Sequence, residues 1–473
     1  MQTRMPVTAV FDIGKTNKKL LVFDECYNVV KEAVMRFDEI TDDDGFPCED
    51  LEALGRWVQE QFRALKKDPG LQLRAVNFST YGASVVYLDK EGDPVGYLYN
   101  YLKPYPGALQ KSFEQERGGA VPFAMATCTP LMGHLNAGMQ LYWMKKEKQD
   151  LLHKVAHILH FPQYLSYLLT GKKVTEITHL GCHSGMWDFR KNRYHTWLAE
   201  EGLLEKLAPI TPGSEAVHVK NEYTGEPIVI GTGLHDSSAA VIPYLQRFPD
   251  PFMILSTGTW SISLNPFNQT LPNATELSKG CLSYLGYTGS PVKASMLFAG
   301  NDHDMQVKRI AAYFDSSPGF YKSVMPDREV LNRLLSEPYA ACLNGEETAV
   351  ISATTPSIFR FRDLQQYRDT SEAYHQLVAD IVTQQRASSE MVLGNEGSRQ
   401  IFVDGGFSKN QLYMQLLAAA FPGLNVYATT MVQGTALGAA LALHHHWNRN
   451  PPAADLVHLK KYSVAGWWKK NPA

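Results

Sequence analysis

The chain has 473 residues, 44% hydrophobic and 20% charged, with 45 basic against 48 acidic side chains and a net charge of -3. That length exceeds one hydrophobic core and predicts two domains. The balanced charge excludes a general nucleic-acid or membrane-surface binder, and no apolar run is long enough to span a bilayer.

Val7–Phe11 and Lys19–Asp24 read as two strands joined by the polar loop 12–18, and Val29–Phe37 as a third. Residues 50–66 carry Leu51, Leu54, Val58, Phe62 and Leu65 on one helical face. Ala75–Phe78 and Val85–Leu88 follow as strands, with Lys90–Asp93 as a tight turn. This order predicts a mixed sheet covered by helices, an α/β class. The second half opens the same way. Phe252–Leu255 and Ser261–Leu264 flank a polar tip with Gly258, and setting Asp12 on Ser256 puts Gly14 on Gly258. Two related halves are expected, with a boundary near 240–250 and domains of 1–245 and 246–473. Further on, Gln400–Val403 reads as a strand, 404–408 as a turn, 409–421 as a helix buried through Leu412, Leu416 and Ala420, Val426 as part of a strand, and Gly434–Leu443 as a helix.

Six cysteines (Cys26, Cys48, Cys128, Cys182, Cys281, Cys342) contain no CxxC pair, so reduced thiols are expected rather than a zinc knuckle or a disulfide framework. Met1–Pro6 has no apolar signal core, which makes a cytoplasmic protein the expectation. The glycosylation-like triplets at Asn268 and Asn273 are expected to be accidental.

Asp236 is the strongest catalytic candidate. It sits in Gly231-Thr-Gly-Leu-His-Asp-Ser-Ser-Ala-Ala240, a glycine-bearing loop that enters a small-residue helical stretch. Two other loops are suited to phosphate: Asp12 to Lys19 and Leu255 to Trp260. A carboxylate with paired phosphate cradles is what phosphoryl transfer to a hydroxyl requires. The plainer reading of Asp236 is a helix N-cap, which is compatible with catalysis. Gly14-Lys15-Thr16 is half of a P-loop, but Ala9 stands where the first glycine belongs. A phosphate hairpin replaces it, with Gly14 admitting an anion, Thr16 and Asn17 donating and lysines adding charge; an ordinary polar turn is the alternative. Gly231-Thr-Gly233 lacks the third glycine of a dinucleotide fingerprint. Asp302-His303-Asp304 offers metal ligands, with a polar loop as the stronger reading; His444–His446 is too local for a metal and reads as solvent-exposed, and Trp260 as packing.

Taken in order, these segments resemble the FGGY carbohydrate kinases, in particular the rhamnulose (deoxyketose) kinases, over nearly the whole chain. Asp12-x-Gly14-x-Thr16-x-x-Lys19 is similar to the family's first phosphate motif, Thr257-Gly-Thr259 to its second, and Asp404-Gly-Gly406 with Gly434-Thr-Ala-Leu-Gly438 to its adenosine motif. Tyr81-Gly82 to Asp89 resembles the sugar-side segment. Phe161 to Gly171 with Thr175-Glu-Ile-Thr178 resembles the mid-chain signature, and His235-Asp236-Ser237 the catalytic segment.

The resemblance implies two ribonuclease-H-like domains of the actin and hexokinase type around an interdomain cleft. It implies ATP and Mg2+ as cofactors, a small sugar as partner and a homodimer as one assembly. By the resemblance, Asp236 is the base, Asp12 organises Mg2+, and Tyr81, Gly82, His235 and Ser237 face the sugar. Gly14, Lys15, Thr16, Asn17, Lys19, Thr257, Gly258, Thr259, Gln306, Gly405 and Gly406 serve the nucleotide. The implied activity is ATP-dependent phosphorylation of a ketose, C1 of L-rhamnulose or L-fuculose. A ketopentose kinase, a non-catalytic sensor and an actin-like chaperone ATPase stand as alternatives. Lys19 replaces an Arg of the family pattern, Gln163 an Asp, and Tyr81 a Trp; loss of Arg removes bidentate phosphate gripping while keeping the charge.

Overall fold

The computed structural model describes residues 4–334, 354–394, 397–429, 433–452 and 456–463. Cys342 and the first three residues lie outside them. The chain divides into two compact units: Met1–Arg247 with Ser283–Pro291 and Val432–Leu456, and Phe248–Leu282 with Val292–Met431 and Val457–Ala473. One cut of the chain therefore does not separate them; two later segments fold with the first unit.

In the first unit, Met5–Ile13, Lys18–Phe23 and Val29–Met35 pair antiparallel in succession. Met5–Ile13 also pairs parallel with Leu71–Thr80, which pairs parallel with Pro227–Gly231. Ala216–Lys220 closes that edge antiparallel. The helix Leu51–Lys67 follows the third strand. Asp50 caps it by accepting from Ala53 N at 2.8 Å, and all five apolar positions of its stripe are buried. Trp57 meets Phe11 edge-on at 5.6 Å, and Phe11 stacks on Phe78 at 5.6 Å. Each such ring pair adds about 0.5–1.5 kcal/mol beyond its burial and fixes the helix to two neighbouring strands.

The second unit repeats the plan. Phe252–Thr257 pairs antiparallel with Ser261–Asn265, and that strand antiparallel with Pro291–Leu297. Phe252–Thr257 also pairs parallel with Gln400–Gly405, which pairs parallel with Asn425–Thr429; Leu459–Tyr462 closes the edge antiparallel. A helix, Ala299–Tyr313, again follows the third strand of the antiparallel set. Behind this sheet, the helices Thr370–Leu393 and Gln411–Ala420 bury Leu377, Ile381, Leu412 and Leu416 in one core.

Several local expectations change. Asp302 and His303 lie in the first turn of a helix and are buried, because Asp302 accepts from Ser357 N at 2.8 Å and His303 Nε2 meets the Tyr374 hydroxyl at 3.0 Å. His444 is buried on Tyr27, whose hydroxyl lies 2.7 Å from its Nδ1; His445 and His446 are exposed. Trp260 packs as expected, on Phe298 with ring centroids 4.4 Å apart. Asn268 is buried, with Nδ2 donating to Val392 O at 3.0 Å, so its triplet offers no glycan acceptor. Cys26, Cys48, Cys128 and Cys182 are free thiols. No helix of the described residues is long and apolar enough to cross a membrane.

Candidate active site

Three parallel strand ends build the site in the first unit. Leu71–Thr80 is flanked by Met5–Ile13 on one side and the short strand Leu234–His235 on the other. Asp12 and Leu234 both stand beside Ser79, and Ile13 and His235 beside Thr80. Asp12, Tyr81, Gly82, His235 and Asp236 therefore emerge at one carboxyl edge, where open α/β sheets bind ligands.

Asp236 opens the four-residue helix Asp236–Ala239, and His235, not Asp236, occupies the capping position. Its Oδ1 accepts from the Ser237 amide and, at 3.2 Å, from the Ser237 hydroxyl. Its side chain keeps 34% exposure. Loss of solvation pushes the carboxyl up to about 6, and the charge of Asp12 adds to the shift. Asp12 is itself raised by burial, against the opposing pull of the Thr435 hydroxyl, which donates to Oδ2 at 3.0 Å, and of Lys19.

The loop carrying Asp236 is held from below. Gln163 is fully buried and donates from Nε2 to the carbonyls of Thr232 (3.1 Å) and Gly233 (2.9 Å). Gly233 takes φ +84 against Pro162, where a β-carbon would lie 2.7 Å from the proline ring. Glu176 accepts from the Thr178 amide at 2.9 Å and its hydroxyl at 2.6 Å; that hydroxyl oxygen accepts from the His235 amide at 3.0 Å. Burial pushes Glu176 up to about 7. The mid-chain signature thus braces the backbone that presents His235 and Asp236.

Gly82 lies where a β-carbon would stand 3.1 Å from both Cys182 Sγ and His235 Nε2. Tyr81 packs on Tyr101 and Phe161 with centroids 5.7 and 5.3 Å away, and its hydroxyl points to Glu49 at 3.5 Å. Lys15 is engaged by Glu39 at 2.7 Å and Glu49 at 3.4 Å, and Lys18 by Glu49 at 2.7 Å. Thr16 is exposed; Asn17 Oδ1 accepts from Arg36 Nε at 2.8 Å, and its carbonyl from the Gly14 amide at 3.0 Å. Tyr101 and Tyr284 were not legible as site residues. Burial raises both phenols and the Asp236 charge adds to the rise, and Tyr284 meets His235 edge-on at 5.4 Å.

The second unit has its own cavity, about 220 Å³, lined by Thr257, Gly258, Thr259, Gly300, His303, Asp304, Tyr321, Gly406, Phe407 and Asn410. Thr257 stands beside Gly405 in parallel register; its carbonyl accepts from the Gly406 amide at 2.7 Å and its Oγ1 from the Phe407 amide at 3.0 Å. Gly405 has φ +88, and a β-carbon there would lie 1.9 Å from the Thr257 carbonyl oxygen. Gly300 approaches the Gly258 carbonyl just as closely, and no sequence motif marks it. Gln306 does not line this cavity: its amide donates to Asp302 at 3.2 Å and accepts from Arg309 at 3.3 Å. The helix Gly434–Ala442 belongs to the first unit, where Thr435 meets Asp12 and Gly438 abuts the Ala239 carbonyl.

Residues 7–243 match the N-terminal domain, and residues 352–447 the C-terminal domain, of the FGGY family of carbohydrate kinases. Among curated proteins, the chain is 28% identical over 238 residues to a rhamnulokinase of Klebsiella pneumoniae (47% of this chain, 46% of that protein). It is 26% identical over 240 residues to one of Yersinia pestis (48% and 47%). The match thus spans about half the length of these curated relatives. Among solved structures, a carbohydrate kinase from Novosphingobium aromaticivorans superposes with a TM-score of 0.74 at 21% identity, covering 96% of each chain. A xylulose kinase from Lactobacillus acidophilus gives 0.75 at 18% identity, covering 97% of this chain and 94% of that one. These likenesses establish the two-domain fold.

Proposed function

The chain belongs to the FGGY family of carbohydrate kinases, and from that premise we propose that it transfers the terminal phosphoryl group of ATP to a ketose hydroxyl. C1 of a deoxyketohexose such as L-rhamnulose or L-fuculose is the acceptor this reading favours. The observation that carries it is the carboxylate pair at one sheet edge, with Asp236 pushed up to about 6 beside Asp12. A base poised near neutrality accepts a hydroxyl proton far better than an ordinary surface carboxylate.

In this reading Asp236 takes the proton of the attacking hydroxyl as its oxygen bonds to the terminal phosphorus and ADP departs. Such a base contributes roughly 10²–10⁴-fold. Ser237 holds the carboxylate in place through its amide and hydroxyl. His235, braced by Thr178, and Tyr81 with Gly82 shape the sugar side. Thr257, Gly258, Thr259 and Gly406 wall the cavity suited to nucleotide. Asp12 fits Mg2+: it is an oxygen donor whose negative charge burial leaves poorly compensated, as its raised carboxyl shows. The ion, when bound, would neutralise phosphate charge. Lys15, held by two carboxylates, contributes less positive charge to phosphate than Lys19. A cytoplasmic location, where ATP is supplied, belongs to the same reading.

The test is kcat/KM with saturating ATP across deoxyketohexoses and ketopentoses. The expected result is sugar-dependent ADP release, greatest with a deoxyketohexose. A ketopentose optimum would move the acceptor class, and ATP turnover indifferent to sugar would overturn the reading.

A further inference from the structure

Beside the sheet edge, His235 belongs to a cluster whose other two members the proposed reaction does not use. Cys182, His183 and His235 are all buried, and one ligating atom from each lies within 4.8 Å of the others. His235 Nε2 is also 3.2 Å from Asp236 Oδ1, so the cluster adjoins the proposed base. We propose that Cys182, His183 and His235 form a binding site for a thiophilic divalent cation, with zinc as its representative.

The hydrogen bonds outside the cluster orient it for this. His183 Nδ1 donates to the Leu135 carbonyl at 2.9 Å, leaving Nε2 as the lone-pair nitrogen. His235 Nδ1 meets Ser238 Oγ at 3.3 Å, and that hydroxyl reaches the Leu285 carbonyl at 3.5 Å. When Nδ1 donates to the Ser238 hydroxyl, the Nε2 lone pair of His235 is free for an ion. Metal-ligating histidines characteristically donate their other ring N–H in this way. Gly82 keeps the space open, since a β-carbon there would stand 3.1 Å from both Cys182 Sγ and His235 Nε2.

One thiolate and two neutral imidazoles supply three ligands of a tetrahedral ion and leave its fourth position open. Binding converts the Cys182 thiol to a thiolate and releases its proton to solvent. Mg2+ would not compete, because it prefers oxygen ligands in octahedral geometry. An ion on His235 would crowd the Asp236 carboxylate, 3.2 Å from Nε2, so zinc is expected to inhibit phosphoryl transfer competitively with sugar. That consequence rests on the proposed function; the binding does not.

The test is zinc titration of the full chain against a chromophoric chelator, without ATP or sugar, repeated with cobalt to read the cobalt–thiolate charge-transfer absorption. Wild type is expected to take up one ion per chain with that absorption. Cys182→Ser should abolish the absorption, and Cys182→Ser and His183→Asn should each weaken zinc by more than about 100-fold, beyond the loss of an outer hydrogen bond. Asn tolerates the left-handed backbone at position 183, where φ is +39. Both variants should keep sugar phosphorylation and lose its zinc sensitivity. No uptake by wild type, or uptake unchanged in both variants, overturns the site. A protein that binds zinc as described yet phosphorylates no sugar would contradict only the proposed function.

Discussion

At the scale of single residues, the account turns on Asp236 and on what holds it. Its carboxyl rises from 3.8 to about 6 on folding. The folded chain therefore binds more protons than the unfolded chain between those values, and this group's contribution to stability falls as pH rises through the window. Asp236→Asn is expected to melt above wild type at pH 8, a gain that shrinks toward pH 4; thermal scans at both pH values check it. The same carboxyl predicts kcat/KM climbing through about pH 6 to a plateau. Gln163 carries a second expectation. Its two donated hydrogen bonds cannot be made by a carboxylate, so Gln163→Glu should cost about 1–3 kcal/mol of stability, read by urea denaturation, and lower kcat by displacing the Asp236 loop. The role of Gln163 was not legible in the sequence, because nothing local shows that a helix residue at 163 faces carbonyls at 232 and 233. Asp236 was legible because a glycine-rich turn and a run of small residues surround it.

At the scale of elements, the two hairpins were legible because each has apolar strands around a polar, glycine-bearing tip. The helix at 51–67 was legible because its apolar stripe keeps one phase for four turns. The strand Leu234–His235 was not, since two residues carry no periodicity and only the parallel partner Leu71–Thr80 defines it. Gly300 was equally hidden: its reason is the Gly258 carbonyl, 42 positions back along the chain. That contact carries an expectation. Gly300→Ala, like Gly405→Ala, forces a β-carbon into a carbonyl oxygen of a proposed nucleotide loop, so each should raise the KM for ATP about tenfold or more while leaving the KM for sugar near wild type. Such a split corresponds to at least about 1.4 kcal/mol confined to one ligand. An equal rise in both constants would mean that the loops do not serve the nucleotide.

At the scale of the whole molecule, the repeated plan of three antiparallel strands, two parallel strands and a closing antiparallel strand explains the faint internal likeness of the two sequence halves. The likeness survives in the hairpin tips, where glycine is needed, and fades elsewhere because cores tolerate substitution of apolar residues. The return of Ser283–Pro291 and Val432–Leu456 to the first unit was not legible, since chain order says nothing about which sheet a late segment joins. It matters for function because those returns deliver Tyr284 beside His235 and Thr435 onto Asp12. ATP at about 100 times its Kd should stabilise the chain by about 2.7 kcal/mol, and that gain should persist in Asp236→Asn but shrink in Gly405→Ala.

The most direct measurement is turnover of Asp236→Asn with ATP and the best ketose, taken together with its ATP affinity. The account predicts normal nucleotide binding and a kcat reduced by about 10²–10⁴-fold. A variant that binds ATP normally and keeps more than about a tenth of wild-type kcat would lie outside that range and contradict the assignment of Asp236 as the base.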